Sequence, residues 1–154
     1  MFDQRPRRFG TIYKSIYSDS MTQNVDLEIK VIERFVVKTK IDRYIQFVSS
    51  PKNRQKFILD LAHFKHFKWD LLSKVTGIET NVIFDTLHQN DISDKTCYVI
   101  SENTNIDKST IDIKEAIQEV VGYNMGTILV FGNADAIFYE GESAKTRFIS
   151  KFLG

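Results

Sequence analysis

An α+β fold is predicted for this 154-residue chain from three features of its sequence. Apolar residues recur at helical spacing through the front of the chain, from Val25 to Leu61. Short continuous apolar runs of strand type take over at Cys97–Ile100, Ile128–Phe131 and Ala136–Tyr139. One further helical stripe, opened by Asp112, interrupts those runs. The expected architecture is an N-terminal helical half packed on a small, largely antiparallel sheet with one helix inserted (β-α-β-β-β). Residues 1–23 are expected to form a partly ordered arm. Residues 24–154 are expected to form a single domain, with a helical part at 24–90 and a β-α-β-β part at 95–154. Hydrophobic residues make up 42% of the chain, including 12 Phe and 6 Tyr, which is enough to fill one core. Only 7 Gly and 2 Pro argue against extended disorder or a linker-rich layout.

Each element has its own signal. The arm carries the basic run Arg5-Pro6-Arg7-Arg8 and the spaced apolar residues Phe9, Ile12, Tyr13, Ile16 and Tyr17. From there Val25, Ile29, Ile32 and Val36 follow i, i+4, i+7, i+11, and Ile41, Tyr44, Ile45 and Val48 repeat the rhythm. Lys38-Thr39-Lys40 between them predicts a break or kink. Ser49-Ser50-Pro51 ends that helix, because the residue before a proline resists helical angles. The same tripeptide makes Ser50 an N-cap and Pro51 a first helical residue. The next helix turns Phe57, Ile58, Leu61 and Phe64 inward, with Lys52, Arg54, Lys56 and Lys65 mostly outward. Another turn or two carries Trp69, Leu72 and Val75 to a stop at Gly77. Thr80–His88 is a further short helix. After the turn-prone Asn90-Asp91 come a buried strand at Cys97–Ser101, a polar loop at 102–109 and the helix from Asp112 to Gly122. Thr127–Phe131 and Ala136–Glu140 make a hairpin around Gly132-Asn133-Ala134-Asp135, and Thr146–Leu153 holds a last strand.

Charge separates along the chain. Met1–Asp70 holds 14 Lys/Arg against 8 Asp/Glu, whereas Leu71–Gly154 holds 7 against 12, so the net +1 hides two unlike halves. Such asymmetry points to association and steering, and to no particular chemistry. Cys97 is the single cysteine, and its apolar run predicts a buried structural thiol. A lone cysteine, no long apolar segment and no Asn-x-Ser/Thr acceptor fit a soluble cytoplasmic protein that avoids membranes.

Motifs for chemistry are sparse. Glu102, Glu140 and Glu142 stand at strand ends with Lys145 nearby; if they converge, they suit Mg or Mn and phosphodiester hydrolysis. The opposing expectation for Glu140 and Glu142 is that they blunt an exposed edge strand. Asp60, His63, His66 and Asp70 carry ligand types suited to zinc or another first-row metal. At ~100° per residue, however, those four positions drift around a helix. The run Asn103-x-Asn105-x-Asp107-x-Ser109 has the spacing of a calcium loop, yet Lys108 stands where glycine is needed and Lys114 where glutamate is needed. Ser49-x-x-Lys52 has no companion Ser-Asp-Asn or Lys-Thr-Gly. No phosphate-binding glycine loop, dinucleotide fingerprint, nucleophile elbow or paired Cys-x-x-Cys occurs.

The remaining signal is a surface. Arg43, Lys52, Arg54, Lys56, Lys65 and Lys68 cluster with Trp69 among them, preceded by Lys38 and Lys40. The expected function is that of a small intracellular binding protein, of inhibitor, immunity or adaptor type, acting on a partner with an acidic surface. The unlike halves also suit a homo-oligomer. No cofactor is expected on this reading. The alternatives are the metal-dependent hydrolase and, after it, non-catalytic nucleic-acid binding.

Overall fold

The computed structural model of the chain describes residues 22–76, 80–89, 92 and 95–153. The arm at 1–21, the stop at Gly77 and the turn at Asn90-Asp91 lie outside the described residues. Gln23 belongs to the folded part: its amide donates to Glu28 Oε1 at 2.8 Å and to the carbonyl of Val48 at 2.7 Å.

Helix α1 (Val25–Phe35) starts at Asn24, whose side chain accepts from the Leu27 N–H. It ends where Val36 bridges Phe67 and the Val37 N–H donates to the His66 carbonyl at 2.8 Å. The predicted break is there, as a single 3-10 turn at Lys38–Lys40, followed by α2 (Ile41–Val48). Helix α3 covers Arg54–Asp60 and is shorter than expected at both ends. Ser50 and Pro51 are not its cap and first residue. A turn precedes it, in which the Asn53 and Arg54 N–H groups both donate to the Ser50 carbonyl at 2.9 Å. The predicted extra turns through Trp69, Leu72 and Val75 become a 3-10 turn at Trp69–Leu71 and a strand, β1 (Leu72–Lys74). The remaining elements are α4 (Thr80–Gln89), β2 (Thr96–Ser101), β3 (Thr110–Asp112), α5 (Ile113–Val120), β4 (Thr127–Phe131), β5 (Ala136–Glu140) and β6 (Arg147–Ser150). Asp112 caps α5 as expected, accepting from the N–H groups of Lys114 and Glu115, and Gly122 follows its end at φ 94°.

The strands form one antiparallel sheet in the order β1-β6-β5-β4-β2-β3. Two of its strands, the short β1 and β3, were not expected, and they hold the two edges. Strand β5 lies inside, between β4 and β6, so Glu140 blunts no edge.

Alternation along the strands builds two cores. Tyr98, Ile100, Ile128, Val130, Ile137 and Tyr139 face α1, α2 and α3 and pack with Ile32, Phe35, Val48 and Phe57. Cys97, Val99, Leu129, Phe131 and Phe138 face the other way and pack with Ile83 and Leu87 of α4 and Ala116, Ile117 and Val120 of α5. Helix α4, assigned above to the helical part that covers the sheet, therefore packs on the opposite face. The physical reason is that every residue of β4 and β5 is buried, so the sheet needs cover on both sides. Among the described residues, no helix is long and apolar enough to cross a membrane.

Candidate functional site

The basic cluster of the sequence divides into one buried residue and a surface. Arg54 is 6% exposed. One edge of its guanidinium grips Glu28, with Nε donating at 3.0 Å and Nη2 at 2.7 Å; the other grips Asp107, with Nη1 donating at 2.6 Å and Nη2 at 3.0 Å. Tyr98 donates to the same Glu28 at 2.7 Å, and the Ser101 N–H donates to Asp107 at 3.0 Å. Burial by itself would lower the pKa of Arg54, but the hydrogen bonds to Asp107 and Glu28 outweigh it and hold the group above its ordinary value. Burial, reinforced by Glu28, pushes the Tyr98 hydroxyl up, so it stays a donor. This network ties α1, α3, β2 and the loop after β2 together. It removes Arg54 from the exposed basic cluster that the sequence predicts.

Arg43 and Lys56 remain outside, on α2 and α3. Their cationic groups lie over the Phe47 ring, Arg43 Cζ at 5.5 Å and Lys56 Nζ at 5.6 Å from its centroid. Phe47 is held from below by an edge-on contact with Tyr44 at 5.7 Å, and Tyr44 in turn meets Phe57, Phe64 and His66. One turn beyond Lys56, Leu59 is 60% exposed, the most exposed large hydrophobic among the described residues. Lys52 stands exposed in the turn before α3. Lys68 and Trp69 lie apart from this face. Lys68 Nζ meets the Glu33 carbonyl at 3.4 Å, and Trp69 meets Phe67 edge-on and Phe148 at a tilt.

A cleft of ≈ 180 Å³ borders the face, lined by Tyr44, Leu59, Asp60, His63, Phe64, Lys65 and His66. It gathers three of the four residues proposed as metal ligands, but not on one continuous α-helix: Asp60 ends α3, His63 ends a 3-10 turn at Leu61–His63, and His66 lies beyond it. Each has another engagement: Asp60 accepts from Tyr44 at 2.8 Å, His63 Nε2 meets Glu142 at 3.2 Å, and His66 packs against Tyr44 and Phe64. Asp70 sits in the separate turn at Trp69–Leu71. Burial, with Asp60 adding to it, holds the Tyr44 hydroxyl above its ordinary value. A second cleft, of ≈ 340 Å³, opens at the other end of α3, lined by Gln23, Pro51, Arg54, Gln55, Thr104, Asp107 and Lys108.

The three glutamates do not converge. Glu140 continues the face of Ala136 and Phe138. It is fully buried, pairs with Arg147 at 2.7 Å and accepts from the N–H groups of Gly122 at 3.1 Å and Asn124 at 2.6 Å. Glu102 continues the opposite face, that of Tyr98 and Ile100, and accepts from the Gly126 N–H at 2.7 Å. Glu142 is paired with His63 on the α3 side, and Lys145 is exposed in the turn after it. The sheet stands between Glu140 and the other two. Among the described residues, no group of three or more His, Cys, Asp or Glu side chains is placed to hold a metal ion. Cys97 is buried as expected, and desolvation pushes its thiol up, away from nucleophilic use.

Sequence reasoning missed the burial of Arg54, although a signal existed. Arg54, Phe57, Ile58 and Leu61 stand at i, i+3, i+4, i+7, so the arginine occupies the apolar stripe itself. Glu28 does the same with Val31, Ile32 and Phe35. Comparison with protein-family models, curated proteins and solved structures gives no match to this chain.

Proposed function

We propose that the chain is a binding module whose α2–α3 face takes up an acidic surface of a protein partner. The observation that supports this reading is the platform of Phe47 with Arg43 and Lys56 over its ring. Exposed charges alone add little to affinity, because water solvates them well. Set on an aromatic ring, with the exposed Leu59 one turn beyond Lys56 on α3, they are joined to apolar area whose desolvation stabilises a complex, while the charges steer and orient it. The division of charge in the sequence agrees in part. Arg54, Asp107 and Glu140 have left the surface, yet Lys52, Lys56, Lys65 and Arg43 stay exposed around α2 and α3. A cytoplasmic location belongs to the same proposal and rests on Cys97, a buried free thiol.

The test is capture by immobilised protein, with the retained partner identified and quantified. The R43E/K56E variant should retain it at least about tenfold less well than the parent chain, with an unchanged melting temperature. Equal retention overturns the reading. Capture that disappears on nuclease treatment also overturns it, in favour of nucleic acid.

A further inference from the structure

We propose that the partner engages this face with an extended acidic segment laid lengthwise along α3, from one cleft to the other. The inference rests on the reading of α2–α3 as an acidic-partner face and names the form the partner takes. Gln55 lines the cleft at the start of α3, and Leu59 lines the cleft at its end. Both side chains are exposed, and residues four apart on a helix stand one above the other on the same side. The two clefts are thus the ends of one track whose floor is the solvent side of α3.

The charge along that track favours an anion. Lys108 lines the first cleft and Lys65 the second, with the exposed Lys52 in the turn before α3 and the exposed Lys56 on α3 itself. Of the carboxylates nearby, Asp107 is paired with Arg54, and Asp60, which accepts from the neutral Tyr44 hydroxyl, is outnumbered by the four lysines. Length favours an extended chain. The seven residues of α3 span about 10 Å at 1.5 Å each. A strand-like peptide covers that distance in about three residues, so roughly six to eight reach into both clefts. Its alternate side chains point the same way, which allows every second residue to meet the lysine row. A flat folded surface resting on α3 would leave both clefts empty.

The experiment is fluorescence anisotropy with a labelled decaglutamate peptide, using decaglutamine as the uncharged control. K108E and K65E, at opposite ends of the track, should each weaken decaglutamate binding about threefold or more. K114E on α5, across the sheet, should leave it unchanged. Lys108 has φ 67°, so Lys108→Asn, a residue at home in the left-handed region, repeats the test without added backbone strain. Binding unaffected by changes at both Lys108 and Lys65 overturns the proposal, as does equal binding of decaglutamine. If R43E/K56E still abolishes partner capture in that case, the acidic-partner face stands and the extended segment alone is lost. If capture is unaffected too, both readings fall together.

Discussion

Arg54 reaches the interior because of its place on the apolar stripe of α3, and it is tolerated there because two carboxylates meet it. The Nε, Nη1 and Nη2 nitrogens of its guanidinium all donate to carboxylate oxygens, and no buried side-chain polar atom among the described residues lacks a hydrogen-bond partner. Removing the cation would leave Glu28, fully buried, and Asp107, nearly so, facing each other without a countercharge. Arg54→Met should therefore cost about 3–5 kcal/mol, the usual penalty for breaking a buried pair from one side. Urea denaturation with an unchanged m-value measures it. Lys52→Ala, on an exposed side chain two residues earlier, should stay within about 0.5 kcal/mol. The stripe was legible in the sequence, since Arg54 and Glu28 both interrupt apolar positions. Their mutual distance was not, because twenty-six residues separate them, and the third partner, Asp107, lies in a loop whose path no periodicity encodes.

The end of α3 shows how a sheet edits a helix. The periodicity of Phe57, Ile58, Leu61 and Phe64 predicts a helix through Phe64, yet the α-helix stops at Asp60. Tyr139 on β5 donates its hydroxyl to the Leu61 carbonyl and accepts from the Phe64 N–H, and the Glu142 N–H takes the Ala62 carbonyl at 3.0 Å. Backbone groups that would have continued the helix are bound to β5 and the turn beyond it. Gly126, just before β4, allows the approach: a Cβ there would sit 2.5 Å from the Ala62 nitrogen and 2.6 Å from the Leu61 carbonyl carbon. Gly126→Ala should destabilise by about 1–3 kcal/mol through backbone displacement at this junction, read as a lowered thermal midpoint. A midpoint equal to the parent's would show that the turn has room to yield. The two edge strands escaped the sequence reading for a simpler reason. Leu72–Lys74 and Thr110–Asp112 are three residues each, too short for alternation to register. The long runs at β2, β4 and β5 were plain, and their unbroken apolar character carried a further message, that helices cover both faces.

The described residues form a sheet between two helical layers, and the layers differ in what they show to solvent. One presents α2 and α3, with Arg43 and Lys56 over Phe47 and a cleft at each end of α3. The other presents α4 and α5, whose inner faces close the second core. The predicted gathering of positive charge over the front helices is visible in the exposed lysines around α3. The matching negative face is thinned by Asp107, which is consumed in the buried pair with Arg54; Glu140 is buried too, but with Arg147 of its own half. Charge counted along a chain includes groups that folding hides, which is why the sequence showed the cationic side better than the anionic one. Hydrogen–deuterium exchange of the full chain, with and without the captured acidic partner, tests the binding face most directly. Exchange in α2, α3 and the 104–108 loop should slow on complex formation. Slowed exchange confined to α4 and α5, with α2 and α3 unchanged, would contradict it.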